Sequence, residues 1–92
     1  MDEIEIAREL WQSKRAAWKA AEKELAAHCY RCSFHLEALV EVSDYRSAEL
    51  DAAREAVAEL HVARDAALHA YDATLAAARS LMRLRDARAV GA

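Results

Sequence analysis

IEIARELWQSKRAAWKAAEKELAAHCYRCSFHLEALVEV, residues 4–42, places Ile4, Trp11, Trp18, Leu25, Cys32 and Leu39 seven residues apart. Three residues after each of these a positions stand Ala7, Lys14, Ala21, His28, His35 and Val42, the d positions, with Leu10 and Ala17 beside them at g. Six successive heptads describe a helix that keeps one face against a neighbour. A straight helix would drift about 20° per heptad, so the repeat also implies supercoiling. The second half carries a related line through Leu50, Ala53, Val57, Leu60, Arg64, Ala67, Tyr71, Leu75, Ala78 and Met82. Its many alanines favour helix further.

Composition agrees. The 92 residues include no proline and a single glycine, Gly91. Sheet folds need frequent turns, and their usual punctuation is missing. The segment Val42-Ser43-Asp44-Tyr45-Arg46-Ser47 is the best break. Its Ser and Asp side chains suit helix N-caps, and Glu49, Asp51 and Glu55 follow where carboxylates complement the helix dipole. A second weak point is Cys29–His35, a run of poor helix formers able to bend or break the helix.

The expected fold is therefore all-α: one domain, residues 1–92, forming an antiparallel helical hairpin with helices over about 2–42 and 46–88. Folding about residue 44 sets residue i opposite 88 minus i. Trp11 then faces Ala76–Ala78, Trp18 faces Ala66, Ala67 and Ala70, and large side chains meet small ones. The same register lays Asp2, Glu3, Glu5 and Glu9 beside Arg79, Arg83, Arg85 and Arg88.

Of 51 apolar residues 24 are alanine, which leaves a thin core for a chain of this size. Leu36, Val40, Val62, Leu68, Leu81 and Leu84 fall off or beside the internal line and form a second face. Self-association into a four-helix bundle is one way to cover it; another protein is the other. Tyr30, Phe34, Leu36, Val40 and Tyr45 are the expected partner or dimer face, since aromatic side chains dominate protein interfaces.

A net charge of −3 argues against generic nucleic-acid binding. Between residues 37 and 72 nine acidic residues stand against Arg46, Arg54 and Arg64. This acidic tip, with Asp44, Glu49, Asp51 and Glu55, suits a basic protein surface. No apolar run reaches the 18 residues or so of a membrane span, and the acidic N-terminus is unlike a signal peptide. A cytoplasmic protein is expected.

The chemistry-bearing cluster is His28-Cys29-x-x-Cys32-x-x-His35. His28, Cys32 and His35 project to one side of a helix, and imidazole and thiolate suit Zn²⁺, with Glu59 or His61 as a fourth ligand across the hairpin. The bland alternative is a polar patch in the helix seam, with the cysteines packing as small apolar groups. His61, Asp65 and His69 read as a solvated face. No Ser–His–Asp arrangement, phosphate-cradling loop or HExxH pattern is present, and two packed helices offer no water-excluding cleft. No enzyme is expected, and no cofactor beyond that zinc.

Length and paired-helix outline resemble the small WXG-type proteins, but no Trp-x-Gly stands at the turn. Both tryptophans lie early in the first helix, and the Tyr-x-x-x-acid match, Tyr45 to Glu49, falls in the turn region. Nothing is carried over from that family.

The expected function is a protein–protein interaction module that binds itself and one other protein, in the manner of a small phage or mobile-element inhibitor or adaptor of a host protein. Arginine favoured over lysine, ten to three, and abundant alanine are what suggest that origin. The alternatives are a zinc-binding helical protein using His28, Cys32 and His35, and a structural coiled-coil subunit of a larger assembly.

Overall fold

The computed structural model describes residues 2–41 and 47–91. Two helices account for them, α1 over Glu3–Glu41 and α2 over Ser47–Gly91. The expected turn, with Asp44 and Tyr45, lies outside the described residues. The fold is the all-α helical hairpin anticipated from the heptads. Neither described helix is long and apolar enough to cross a membrane.

Helix α1 runs unbroken through Cys29–His35, as the expected first helix does, and the weak run there does not interrupt it. Cys32 and His35 keep their places in the buried line, and packing of that line outweighs poor intrinsic propensity. Helix α2 continues past the expected end at Arg88 to Gly91. Ala87, Ala89 and Val90 contain no breaker, so the first residue that disfavours helix is Gly91 itself.

The chain divides into two compact units. Unit 1 joins α1 up to Ala20 with α2 from Leu68 onward; unit 2 comprises Ala21–Ala67. Each is an antiparallel pair of helical segments. In unit 1, Asp2 meets Arg88, Lys14 meets Thr74 and Trp18 meets Tyr71. In unit 2, His28 and Arg31 both approach Glu59. Every pair agrees with the register of i against 88 minus i to within two residues.

Burial on α1 follows the heptads closely. Its buried and half-buried positions are Ile4, Ala7, Trp11, Trp18, Ala21, Leu25, His28, Cys32, His35 and Leu39, and of the expected a and d residues that are described only Lys14 is exposed; Val42 lies outside the described residues. The g residues Leu10 and Ala17 are exposed as well.

The inner line of α2 shares Ala53, Leu60 and Ala67 with the one expected and is otherwise displaced by one residue, leaving Leu50, Val57, Leu75 and Ala78 half-buried at its edge. Ala53, Ala56, Ala63, Ala67, Thr74, Ala77 and Leu81 are buried, with Leu60, Ala70 and Leu84 half-buried between them. Arg64, Tyr71 and Met82 are exposed instead. Two apolar lines run along α2 one residue, hence about 100°, apart. The line with larger side chains looked like the core from sequence. The smaller one faces α1 because Trp11, Trp18 and Leu25 already fill that space. Leu81 and Leu84 consequently belong to the inner line, not to the outer face.

Unit 1 is pinned at three levels. Asp2 caps α1: its Oδ1 accepts from the Ile4 amide at 3.3 Å, and its backbone carbonyl accepts from the Ile6 amide at 3.0 Å. The same carboxylate accepts from Arg88 Nη2 at 2.7 Å. Of the expected end-to-end charge pairs, this is the one formed among the described residues. Midway, the buried Thr74 hydroxyl lies 2.8 Å from the Ala70 carbonyl and 3.0 Å from the Lys14 carbonyl on α1, its one proton shared between them. Trp18 packs edge-on against Tyr71, ring centroids 5.3 Å apart, where alanines alone were expected. The Arg15 guanidinium covers the Trp11 ring at 5.7 Å, so the half-buried indole keeps a cation over its outer face.

Two outcomes follow. Thr74→Val keeps the volume and removes the one side-chain hydrogen bond, besides Asp2–Arg88, that joins the helices of unit 1 among the described residues. Urea denaturation should show a loss of about 0.5–1.5 kcal/mol, and unchanged stability would count against the hydroxyl as a tie. Hydrogen bonding to Arg88 first, then the Ile4 amide, holds the Asp2 carboxyl below its ordinary 3.8. The tether is therefore complete above that value and lost as pH falls through the lower folded value. Amide exchange at Glu3–Ile6 should accelerate in Asp2→Ala more than in Asp2→Asn, which keeps a capping oxygen; equal exchange in both would reduce Asp2 to a charge partner.

Candidate interaction surface

The residues singled out in the sequence fall mainly in unit 2, and the helix periodicity separates them into two faces. His28, Cys32 and His35 share the inner line of α1 with Leu25 and Leu39. Cys32 is buried there, and both histidines are half-buried. Cys29 is one of the exposed residues, and both cysteines are free thiols.

His28 sits between carboxylates. Its Nε2 is 4.0 Å from Glu24, one turn earlier on α1, and its Nδ1 is 3.8 Å from Glu59 on α2. Glu59 accepts a 3.0 Å hydrogen bond from Arg31. Nδ1 is itself shielded from solvent and makes no hydrogen bond. The expected proximity of Glu59 to His28 is present, whereas His61 is exposed. Among the described residues no group of three or more His, Cys, Asp or Glu side chains is arranged to hold a metal ion. What His28, Glu59 and Arg31 form is a polar tie between the helices of unit 2. Glu24 and Arg31 escaped the sequence reading, although Glu24 could have been found as the i,i+4 neighbour of His28. Beside this tie lies an open groove of about 540 Å³, rimmed by Glu24, Glu55 and Glu59 and floored by Val62, Ala63 and Ala66.

The outer face of α1 is unlike the inner one. Tyr30 is 80% exposed, Val40 78% and Phe34 62%, with Leu36 also exposed. Phe34 packs edge-on against the neighbouring His35 ring at 5.5 Å, which holds it without covering it. Leu36 and Val40 line a shallow groove of about 310 Å³ with Ser33, Glu37 and Glu41. On α2, Val62 is exposed. Helical spacing divides the four into two exposed apolar pairs on different sides of α1, Tyr30 with Phe34 and Leu36 with Val40. Tyr45, the fifth residue expected on this face, lies outside the described residues.

The acidic residues separate too. Asp51 and Glu55 are exposed on α2, and Glu55 borders the 540 Å³ groove. Glu49 is half-buried, with Oε2 shielded and without a hydrogen-bond partner. Asp44 lies outside the described residues. Unit 2 as a whole carries ten acidic residues against five basic ones. His61, Asp65 and His69 are exposed, with Asp65 next to Arg64 at 3.6 Å, so they form the solvated row that was expected.

Comparison with family models, with curated proteins and with solved structures finds no match to this chain. The assignment of function therefore rests on the surface itself.

The two thiols should differ sharply in reactivity, since attack on a thiol-specific reagent requires access. In the folded protein Cys29 should react promptly, and Cys32 only at the rate of local opening. Peptide mapping after a timed pulse of alkylating reagent reads both, and equal labelling would mean that the Cys32 layer is open.

Proposed function

We propose that this chain is a non-enzymatic protein–protein contact module that acts through unit 2, as a small inhibitor or adaptor. The observation that carries the reading is the exposure of Tyr30, Phe34, Leu36 and Val40 on α1, with Tyr30 and Phe34 opposite the inner line and Leu36 and Val40 one turn apart on its flank. Interfaces are anchored by side chains of this kind, and a helix presents them without the entropic cost of ordering a loop. Burial elsewhere supports it. None of the described large side chains is fully buried, so the chain has more apolar surface than its own two helices cover.

Charge indicates the kind of partner. The acidic surface that includes Asp51 and Glu55 favours a protein with a basic rim, and electrostatic steering would speed its encounter. The exposed apolar side chains of α1 then supply the contact area. The grooves are open and shallow, a geometry better matched to a protein surface than to an enclosed small molecule. The free thiols Cys29 and Cys32 fit a reducing, cytoplasmic setting.

Charge reversal of two exposed acidic residues tests the reading. Asp51→Lys with Glu55→Lys leaves the inner line untouched, so circular dichroism should be unchanged. A protein enriched by the wild-type chain from its native extract should be recovered at roughly a tenth of the amount by the variant, as expected for loss of complementary charge. Equal recovery would remove the acidic surface from the binding site. Failure of Phe34→Ser and Val40→Ser to reduce capture would remove the apolar face.

A further inference from the structure

The outer face of α1 in unit 2 has an internal order that exposure alone does not convey. Lys23, Ala27, Tyr30, Phe34, Glu37 and Glu41 recur at alternating four- and three-residue intervals, which places them on one stripe of the helix. The stripe lies on the side of α1 away from Cys32, and all six residues are exposed. It is a second heptad line on the same helix, left exposed among the described residues. A base stands at its start, two aromatic rings at its centre and two carboxylates at its end. Among the described residues Lys23, Glu37 and Glu41 form no ion pair; the recorded pairs of unit 2 use Glu24, His28, Arg31, Glu59, Arg64 and Asp65.

This order is self-complementary when reversed. Laid antiparallel on its own copy with the two-fold axis at residue 32, the stripe sets Lys23 against the second copy's Glu41 and Tyr30 against its Phe34. Glu37 then meets Ala27, a small residue one turn from Lys23, so the lysine stem can reach both carboxylates. Each contact occurs twice, as an isologous interface requires. The parallel arrangement would instead put Lys23 on Lys23 and each glutamate on its own copy, which charge repulsion disfavours. The helical seams inside each unit obey the same reflection rule about residue 44, so the geometry asked of the second copy is one this sequence already uses.

We propose that the Lys23–Glu41 stripe of α1 is a homodimer interface, occupied by the same stripe of a second copy running antiparallel. The aromatic pairs supply the buried area and the charged ends fix direction and register. The contact spans about 27 Å of helix, at 1.5 Å per residue. An interface this short sits at the small end of stable ones, so the dimer dissociates on dilution. The proposal rests on the reading of this chain as a contact module. Its test needs no other protein, so the two readings fail separately.

Sedimentation equilibrium over a dilution series reads the outcome. The wild-type chain should pass from a 10.3 kDa monomer to a species of twice that mass as concentration rises. Lys23→Glu should weaken the dimer about tenfold, and so should the pair Glu37→Lys with Glu41→Lys, because each places like charges together at both ends. Combining all three restores opposite charges, and the dissociation constant should return to within about threefold of wild type. All three positions are exposed and the substitutes are good helix formers, so helicity serves as the control. A chain that remains monomeric throughout would overturn the proposal and leave the stripe to a different protein. Unchanged association in the single-sign variants, or no recovery in the combined one, would also overturn it.

Discussion

How closely two helices approach is set by the smallest side chains between them, and in this protein those belong to α2. Ala56, Ala63, Ala70 and Ala77 recur every seven residues, at register positions opposite Cys32, Leu25, Trp18 and Trp11. A methyl group facing an indole lets the larger ring fill the interhelical space without forcing the backbones apart. The intervening layers reverse or balance the sizes, with Ala7 against Leu81 and His28 against Leu60. The fit is one of volumes, and it dictates which face of α2 turns inward. From that choice follow the exposure of Tyr71 and Met82 and the inward place of Leu81.

This dependence explains how much could be read from sequence. The seam of α1 was legible because large apolar residues mark it at six successive heptads. Of the expected α2 seam Ala53, Leu60 and Ala67 are inner positions, and the other seven residues each stand one place after an inner one. Reflecting the a and d positions of α1 through residue 44 gives 84, 81, 77, 74 and 70 for unit 1, and 67, 63, 60, 56, 53 and 49 for unit 2. Those are the inner positions of α2. The register rule was sufficient to place the inner line, because it carries the α1 heptads across to α2 without reference to the hydrophobicity of single residues. The hairpin itself, and its alignment to within two residues, did not depend on which line faced inward.

Thr74 and Asp2 illustrate what a pattern of apolar residues conceals. Thr74 stands in an alanine-rich run and its burial is betrayed by no periodicity in hydrophobicity. Its value lies in a hydroxyl that can serve its own helix at Ala70 and the opposite one at Lys14, where a lysine and a threonine occupy a layer that would otherwise hold two apolar side chains. Lys14 contributes its carbonyl to that layer while its side chain remains exposed, which accounts for the one apparent failure of the α1 heptads. Asp2 was legible as one of several charges at an end, but its second role as a helix cap is a matter of local backbone geometry. At the candidate surface the same division holds. Exposure of Tyr30, Phe34, Leu36 and Val40 followed from helical spacing, whereas the tie of Glu59 to both His28 and Arg31 depended on side-chain reach across the pair.

A two-helix fold cannot hide both lines of a helix that carries two. The inner heptads of α1 are satisfied by α2, and satisfaction of the first line fixes the second outward, since the two lie on opposite sides of one cylinder. Within unit 2 the inner line is modest, with two histidines and a cysteine among its six α1 residues, while the outer line has Tyr30 and Phe34. Larger aromatic surface has thus been placed where this chain cannot bury it, and smaller, more polar groups where it can. Had stability of the isolated chain been the governing demand, exchange of the two lines would have served it better. The distribution is coherent when the outer line is taken as the part that does the work, and the inner line as the support that holds its rings in fixed positions along a rigid helix.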